Sequence, residues 1–222
     1  MRWGQAIQAA VDVDFFMAAL GPKDLWFTCS AQYYCGTGLE TAGGSELYDQ
    51  GDADRARELL AEAGYNGETV KIVNPTDYAT IGFMGQVMKP TLEAIGMTVD
   101  MPSIDWSTVI SELRSENPDW NIFNTWYALW TTPNPVADTV PAGIQSGGDN
   151  WDVDTAKALV AEFAAELDKD KQLAIIDRLQ LHLKTEVPEI TLGQWSSIYP
   201  HRSNILGIVV PTSPMYFNAW ID

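Results

Sequence analysis

Cys29, Cys35, His182 and His201 are the residues of this chain whose types most readily do chemistry, and their spacing argues against most of it. Neither cysteine carries the local signature of a catalytic nucleophile, and its base would have to be a histidine brought near by the fold. A zinc site is not expected, because neither histidine stands at ligand spacing from a cysteine. The two cysteines flank five residues of an aromatic, glycine-bearing loop. They read either as two reduced thiols or as a disulfide; the bridge is favoured, since that loop has little else to order it. It would contribute roughly 2 kcal/mol in a chain-entropy treatment and imply an oxidising compartment. The G-x-S-x-G elbow, the P-loop and a G-x-G-x-x-G turn after a strand are absent. Thirty Asp and Glu residues leave room for a glycosidase-type carboxylate pair, but spacing singles out none. No catalytic residue, metal or cofactor is expected. His182, between Leu181 and Leu183, reads as structural or surface, and His201 beside Arg202 as an exposed pair.

A different chemistry, recognition on aromatic surfaces, is offered by Asn121 to Pro135, NIFNTWYALWTTPNP. It starts as a strand and ends in a turn that Pro133 and Pro135 keep irregular. Trp126, Tyr127 and Trp130 lie where strand gives way to turn. Such a cluster is either the edge of a core or a surface for flat ligands. Tyr33 and Tyr34, in a long loop between Lys23 and Leu47 without clean period, are further candidates. Loops of that length are often functional.

The elements that must position these residues follow from periodicity. Trp3, Ile7, Ala10, Val11 and Phe15 predict one helix as far as Leu20, stopped by Gly21-Pro22. Asp52 or Asp54 caps a helix to Ala63 with Ala56, Leu59 and Leu60 inward and Gly64 as its stop. Thr69 to Val73 is a strand, Thr80 to Ile95 a helix kinked or broken at Pro90, and Met97 to Met101 a strand. Asp105 caps a third helix, and Trp120 to Trp126 is a third strand. This alternation predicts a parallel-type α/β sheet with ligands beyond the carboxyl ends of its strands, where the aromatic stretch falls. After a glycine-rich turn, Gly143 to Asp149, two amphipathic helices follow. One turns Ala156, Leu159, Val160, Phe163 and Leu167 inward. The other is capped by Asp168 or Asp170, presents Leu173, Ile176, Leu179 and Leu183, and stops before Pro188. Ile190 to Asp222 is strand-like, including Ile205 to Val210. Its end, with Tyr216, Phe217 and Trp220, is too apolar to be left free.

Composition limits the partners. Thirteen basic against 30 acidic residues give a net charge of −17, which opposes nucleic acid and anionic membranes. Hydrophobic residues make up 46% of the chain, enough for a substantial core, and its nine tryptophans must be buried or used at a surface. No apolar run reaches the ~20 residues that span a bilayer. No secretory signal is visible, and Met1 before a helical pattern reads as a true start or as a cut into a longer protein.

Several segments together resemble the family 5 extracellular solute-binding proteins, the peptide, nickel and oligosaccharide receptors of ABC importers. RWGQAIQAAVDVDFF is similar to a helix of that family with the pattern R-x-A-x-x-x-A-I-D. YDQGDADRARELLAEAGYNG before TVKIV resembles Y-D-P-x-K-A-K-x-L-L-x-E-A-G-Y, with Gly51 where the family often has Pro. PTLEAIGMTVDMPSIDW resembles L-x-x-I-G-I-x-V-x-x-x-x-x-x-W, and GPKDLWFTCSAQYYCGTGLE the cysteine-bearing loop of some peptide-transport members. The resemblance implies an α/β periplasmic-binding-protein type II lobe, a mixed sheet flanked by helices. Residues 1–194 would form the C-terminal lobe and 195–222 a return segment toward an N-terminal lobe. It implies capture of a small peptide or oligosaccharide-like ligand in an interlobe cleft for a membrane permease, in the periplasm or outside the cell, without chemistry. Trp126 and Pro133 match the family's W-x-x-D-x-x-x-P strand end. Leu129 stands where peptide receptors often place an aspartate for the ligand's α-amino group; Asp138 is the nearest acid downstream. The ligand-binding candidates are thus Trp126, Tyr127, Leu129, Trp130, Thr131, Tyr33 and Tyr34. The alternatives are a hydrolase with an unidentified carboxylate pair and a sensory or regulatory domain of the same fold.

Overall fold

In the computed structural model the described residues are 3–115, 118–128, 134–136, 151–209 and 217–222. The helix–strand alternation expected from residue 52 onward is present. Helix α3 (Ala53–Glu62) is capped by Asp52, whose carboxylate accepts the Arg55 N–H, and Gly64 turns the chain away at φ +74. Ala56 and Leu60 are buried as expected and Leu59 is half-buried. Strand β2 (Thr69–Val73) pairs in parallel with both β3 (Thr98–Asp100) and β4 (Ile122–Phe123), in the order β3-β2-β4. Between them lie α4 (Ala79–Ala94) and α5 (Trp106–Leu113), the latter capped by Asp105. Among the described residues antiparallel pairing occurs in two short pairs: β1 (Trp26–Phe27) with β5 (Gln194–Trp195), and β6 (Ile205–Leu206) with β7 (Trp220–Ile221).

Three expectations are corrected, and of the two readings at Pro90, a kink or a break, the break is excluded. The first helix is two, α1 (Trp3–Ala10) and α2 (Val13–Leu20). Asp12 adopts an extended backbone and caps α2, while the Gly51 and Asp52 N–H groups bond the Val11 and Ala9 carbonyls. The break turns Phe16 into the core and leaves Phe15 58% exposed, opposite to the uninterrupted pattern. Helix α4 runs through Pro90 without ending. Proline in a helix interior costs about 3 kcal/mol. Buried Val87 and Met88 on one side and Leu92 and Ile95 on the other hold the helix together across it. The third strand has two residues rather than seven, because β2 runs into Pro75, which has no N–H to continue a ladder. Helix α6 (Val153–Ala165) ends before Leu167, which is 95% exposed. There the Glu166 carboxylate accepts the N–H groups of Leu167 and Asp168 and turns the chain into α7 (Lys169–Glu186), capped by Asp168. The glycine-rich turn 143–149 lies outside the described residues.

Two cores result. One gathers α1, α2, α3 and α4 on β2, around Val70, Ile72, Phe16 and Leu92. The other joins α6 and α7 through Leu159, Phe163, Ile176 and Leu179, and encloses Tyr33. The long loop after α2 is stapled onto α7 by polar contacts. Cys29 and Cys35 are bonded, with Cα atoms 6.0 Å apart. Gln180 Oε1 accepts the Gln32 N–H at 2.8 Å, Lys184 Nζ donates to the Ser30 carbonyl at 2.6 Å, and Gln32 Nε2 donates to Glu189. Burial pulls the Lys184 ammonium down to about 8 and pushes the Glu189 carboxyl up to about 7.

Replacing Cys29 and Cys35 together by serine lowers the unfolding free energy by about 2 kcal/mol in urea titrations. Thiol titration of the unfolded, unreduced protein finds no free thiol; two reactive thiols would refute the bridge. Folded Glu189 keeps, up to about pH 7, a proton that the unfolded chain releases near 4.5. The stability this group contributes is therefore fully present below pH 4.5 and is lost as pH rises through about 7. Glu189→Gln removes that decline while keeping an acceptor for Gln32, which denaturation midpoints across pH 4–8 will show.

Candidate functional site

Beyond the carboxyl ends of β2 and β4 the chain makes a surface from half-buried aromatics and buried amides. At the end of β2, Asn74 is 3% exposed and its Nδ2 donates to the Gly82 carbonyl of α4 at 3.0 Å. Its close approach needs Gly85, where an added Cβ would lie 2.3 Å from the Asn74 amide carbon. Pro75 forms a bridge to Ile104, and Thr76 donates its N–H to the Ile104 carbonyl, so the β2 and β3 connections leave side by side. The Asp77 carboxylate accepts the Trp106 N–H at 2.7 Å and sets the start of α5.

These turns line up three rings. Tyr78 meets Trp106 edge to face at 5.1 Å between centroids, and Trp106 stacks on Phe123 at 6.3 Å with planes 29° apart. Such pairs contribute about 0.5–1.5 kcal/mol each beyond burial. Trp126, three residues past the end of β4, is half-buried and meets Trp195 edge to face at 6.0 Å. Asn124, at the position after the Val73–Phe123 pairing, is 6% exposed.

The sequence candidates fare unevenly. Trp126 and Tyr127 stand at this strand end, with Tyr127 37% exposed. Leu129, Trp130 and Thr131 lie outside the described residues, as do Pro133 and Asp138. Tyr33 is displaced from the expected surface: it is 1% exposed and packs in the α6–α7 core. The disulfide loop folds inward there, because its backbone bonds to Gln180 draw it onto α7. Tyr34, half-buried at φ +64, has its carbonyl accept from Thr37 Oγ1. Sequence reasoning missed Asn74 and Asn124 as buried amides at the strand ends, and Tyr78 and Trp106 as ring partners leading to Phe123. The available signal was their shared position within a few residues of strand carboxyl ends.

Groups of interest for reaction chemistry are engaged elsewhere. The cysteines are joined and offer no thiolate. His182 Nε2 lies 2.7 Å from the Asp152 carbonyl and its ring lies beside Trp151, while His201 is exposed with Nδ1 3.3 Å from the Tyr199 carbonyl. Among the described residues no group of His, Cys, Asp and Glu is placed to hold a metal ion.

Comparison with known proteins agrees with this architecture. Residues 5–150 match the family described as bacterial extracellular solute-binding proteins, family 5 Middle. The chain is 28% identical over 176 residues to the "Probable peptide ABC transporter periplasmic-binding protein y4tO" of Sinorhizobium fredii, covering 76% of this chain and 33% of that protein. Its fold is similar to that of a substrate-binding protein from Microbacterium hydrocarbonoxydans complexed with 4-hydroxybenzoate hydrazide. That match has a TM-score of 0.74 and 17% identity, over 100% of this chain and 46% of the other. It is also similar to the periplasmic binding protein AgaA from A. tumefacien R10 in complex with agropinic acid. There the TM-score is 0.68 and identity 17%, over 100% of this chain and 47% of the other. The chain thus spans about a third of the curated relative and just under half of these solved chains. The α/β fold is that of a periplasmic-binding-protein type II lobe, with a parallel three-stranded sheet and two separate antiparallel pairs among the described residues. By sequence match and fold alike, the chain belongs to the family 5 bacterial extracellular solute-binding proteins.

Proposed function

We propose that this chain is the ligand-contacting C-terminal lobe of the substrate-binding component of an ABC importer. The observation that carries this reading is the aromatic rings gathered at and beyond the carboxyl ends of a parallel sheet, Tyr78–Trp106–Phe123 in one set and Trp126–Trp195 in another. Ligands of open α/β sheets sit at such ends. Residues 1–194 form the lobe and 195–222 return toward an N-terminal lobe. The exposed apolar residues of that return segment support this division: Val209 is 49% exposed, Phe217 86% and Ile221 75%. Trp126, Tyr127, Leu129, Trp130, Thr131 and Tyr34 contact the ligand, a small peptide or oligosaccharide-like solute. The protein works in the periplasm or outside the cell, where the Cys29–Cys35 bond is stable. It captures its ligand by closing two lobes around it and hands it to a membrane permease without transforming it. Closure is driven by contacts that the ligand makes only in the closed state.

Calorimetric titration of the full-length protein with peptide and oligosaccharide libraries tests the assignment, and lack of binding to both would refute it. In the same assay Trp126→Ala weakens binding by roughly 1–3 kcal/mol, the range of a buried aromatic hot spot. Unchanged affinity with lowered stability would return Trp126 to core packing against Trp195.

A further inference from the structure

Five side-chain N or O atoms are shielded from solvent without a hydrogen-bond partner among the described residues, and four belong to Asn74, Thr80, Asn124 and Trp126. Buried polar groups are paired in the great majority of cases, and an unpaired one is costly. Four at the ends of β2 and β4 and the first turn of α4 are therefore a concentration that asks for a reason. Their types are complementary: Asn124 Nδ2 and Trp126 Nε1 donate, Asn74 Oδ1 accepts, and the Thr80 hydroxyl does either. Asn74 and Asn124 are each more than nine-tenths buried.

Charge narrows what could satisfy them. The connections that leave the carboxyl ends, residues 74–78, 101–105 and 124–152, contain no Lys, Arg or His. Two carboxylates of these connections are engaged with backbone, Asp77 with the Trp106 N–H and Asp105 with the Thr108 N–H. An anionic group brought here would meet no counter-charge from these connections. A group bearing both acceptors and donors would satisfy Asn124, Trp126 and Asn74 together, and the Trp126 ring offers an apolar face beside them.

Resting on the reading of this lobe as a ligand-binding one, we infer that Asn74, Thr80, Asn124 and Trp126 form a subsite for an uncharged polar part of the ligand. That part is either a hydroxyl-bearing sugar ring or a peptide amide. The terminal torsion of an asparagine side chain is broad, so its amide reorients at little cost to meet an incoming partner.

The test is calorimetry on the full-length protein with maltotetraose, N-acetyl-tetra-alanine amide and tetraglutamate, for the wild type, Asn124→Leu and the near-isosteric Asn124→Asp. A neutral probe binds, the sugar or the amide identifying the source, and tetraglutamate does not. Both substitutions weaken the neutral probe about tenfold or more, as expected when a hydrogen bond to a buried group is lost. Asn124→Leu leaves the unliganded unfolding midpoint unchanged or raised, since it removes a donor that has no partner. Equal affinity in wild type and variants overturns the subsite while leaving the binding function intact. So does a variant that only loses stability, or tight tetraglutamate binding. Absence of binding by every probe overturns both readings.

Discussion

Strand β2 is shared by both parallel pairings of the sheet, and it stops because Pro75 has no N–H to give. Nearly everything about the site descends from that missing donor. With no partner beyond Val73, β4 ends after Phe123 and the chain is released where its aromatic residues begin. The released segments are then held by side chains: Asn74 on α4, and Asp77 on the start of α5. A longer ladder would have satisfied the backbone by itself and carried Asn124 and Trp126 into regular pairing. The short one leaves polar side chains and rings at the strand ends.

The disulfide loop solves a separate problem. It is far too irregular to order itself, and its five-residue bridge constrains only its own turn. Its position is decided by Gln180, Lys184 and Glu189, which reach it from α7 and the segment after it. The cost is visible in the displaced ionisation of Lys184 and Glu189, both taken partly out of water. In return the loop supplies Tyr33 to the second core and ties the α6–α7 pair to the rest of the lobe.

Helices, caps and strands between Asp52 and Leu113 were legible because each is dictated locally. Asp52, Asp105 and Asp168 bond the N–H groups two or three residues on, and Gly64 and Gly96 take up positive φ at helix ends. Errors arose where a distant residue overrode the local pattern. Asp49 Oδ1 accepts the Val13 N–H, thirty-six residues away, and with Asp12 it divides what periodicity reads as one helix. Pro90, a strong local signal for a break, was outweighed by apolar burial on both its sides.

The candidate site divides in the same way. By itself the sequence determined that aromatics cluster just past a strand at Trp126 and Tyr127 and that no cation lies in the connections around the site, and it favoured a disulfide over two free thiols. Those properties depend on residue type and short spacing. Only the tertiary structure decided that Tyr78, Trp106 and Phe123 join in one set of rings, that Tyr33 is buried in the second core, and that the amides of Asn74 and Asn124 are shut away without full partners. These depend on which strands are neighbours and where each ladder stops. Parallel pairing brings together residues some fifty positions apart in the chain, and no local periodicity encodes that register.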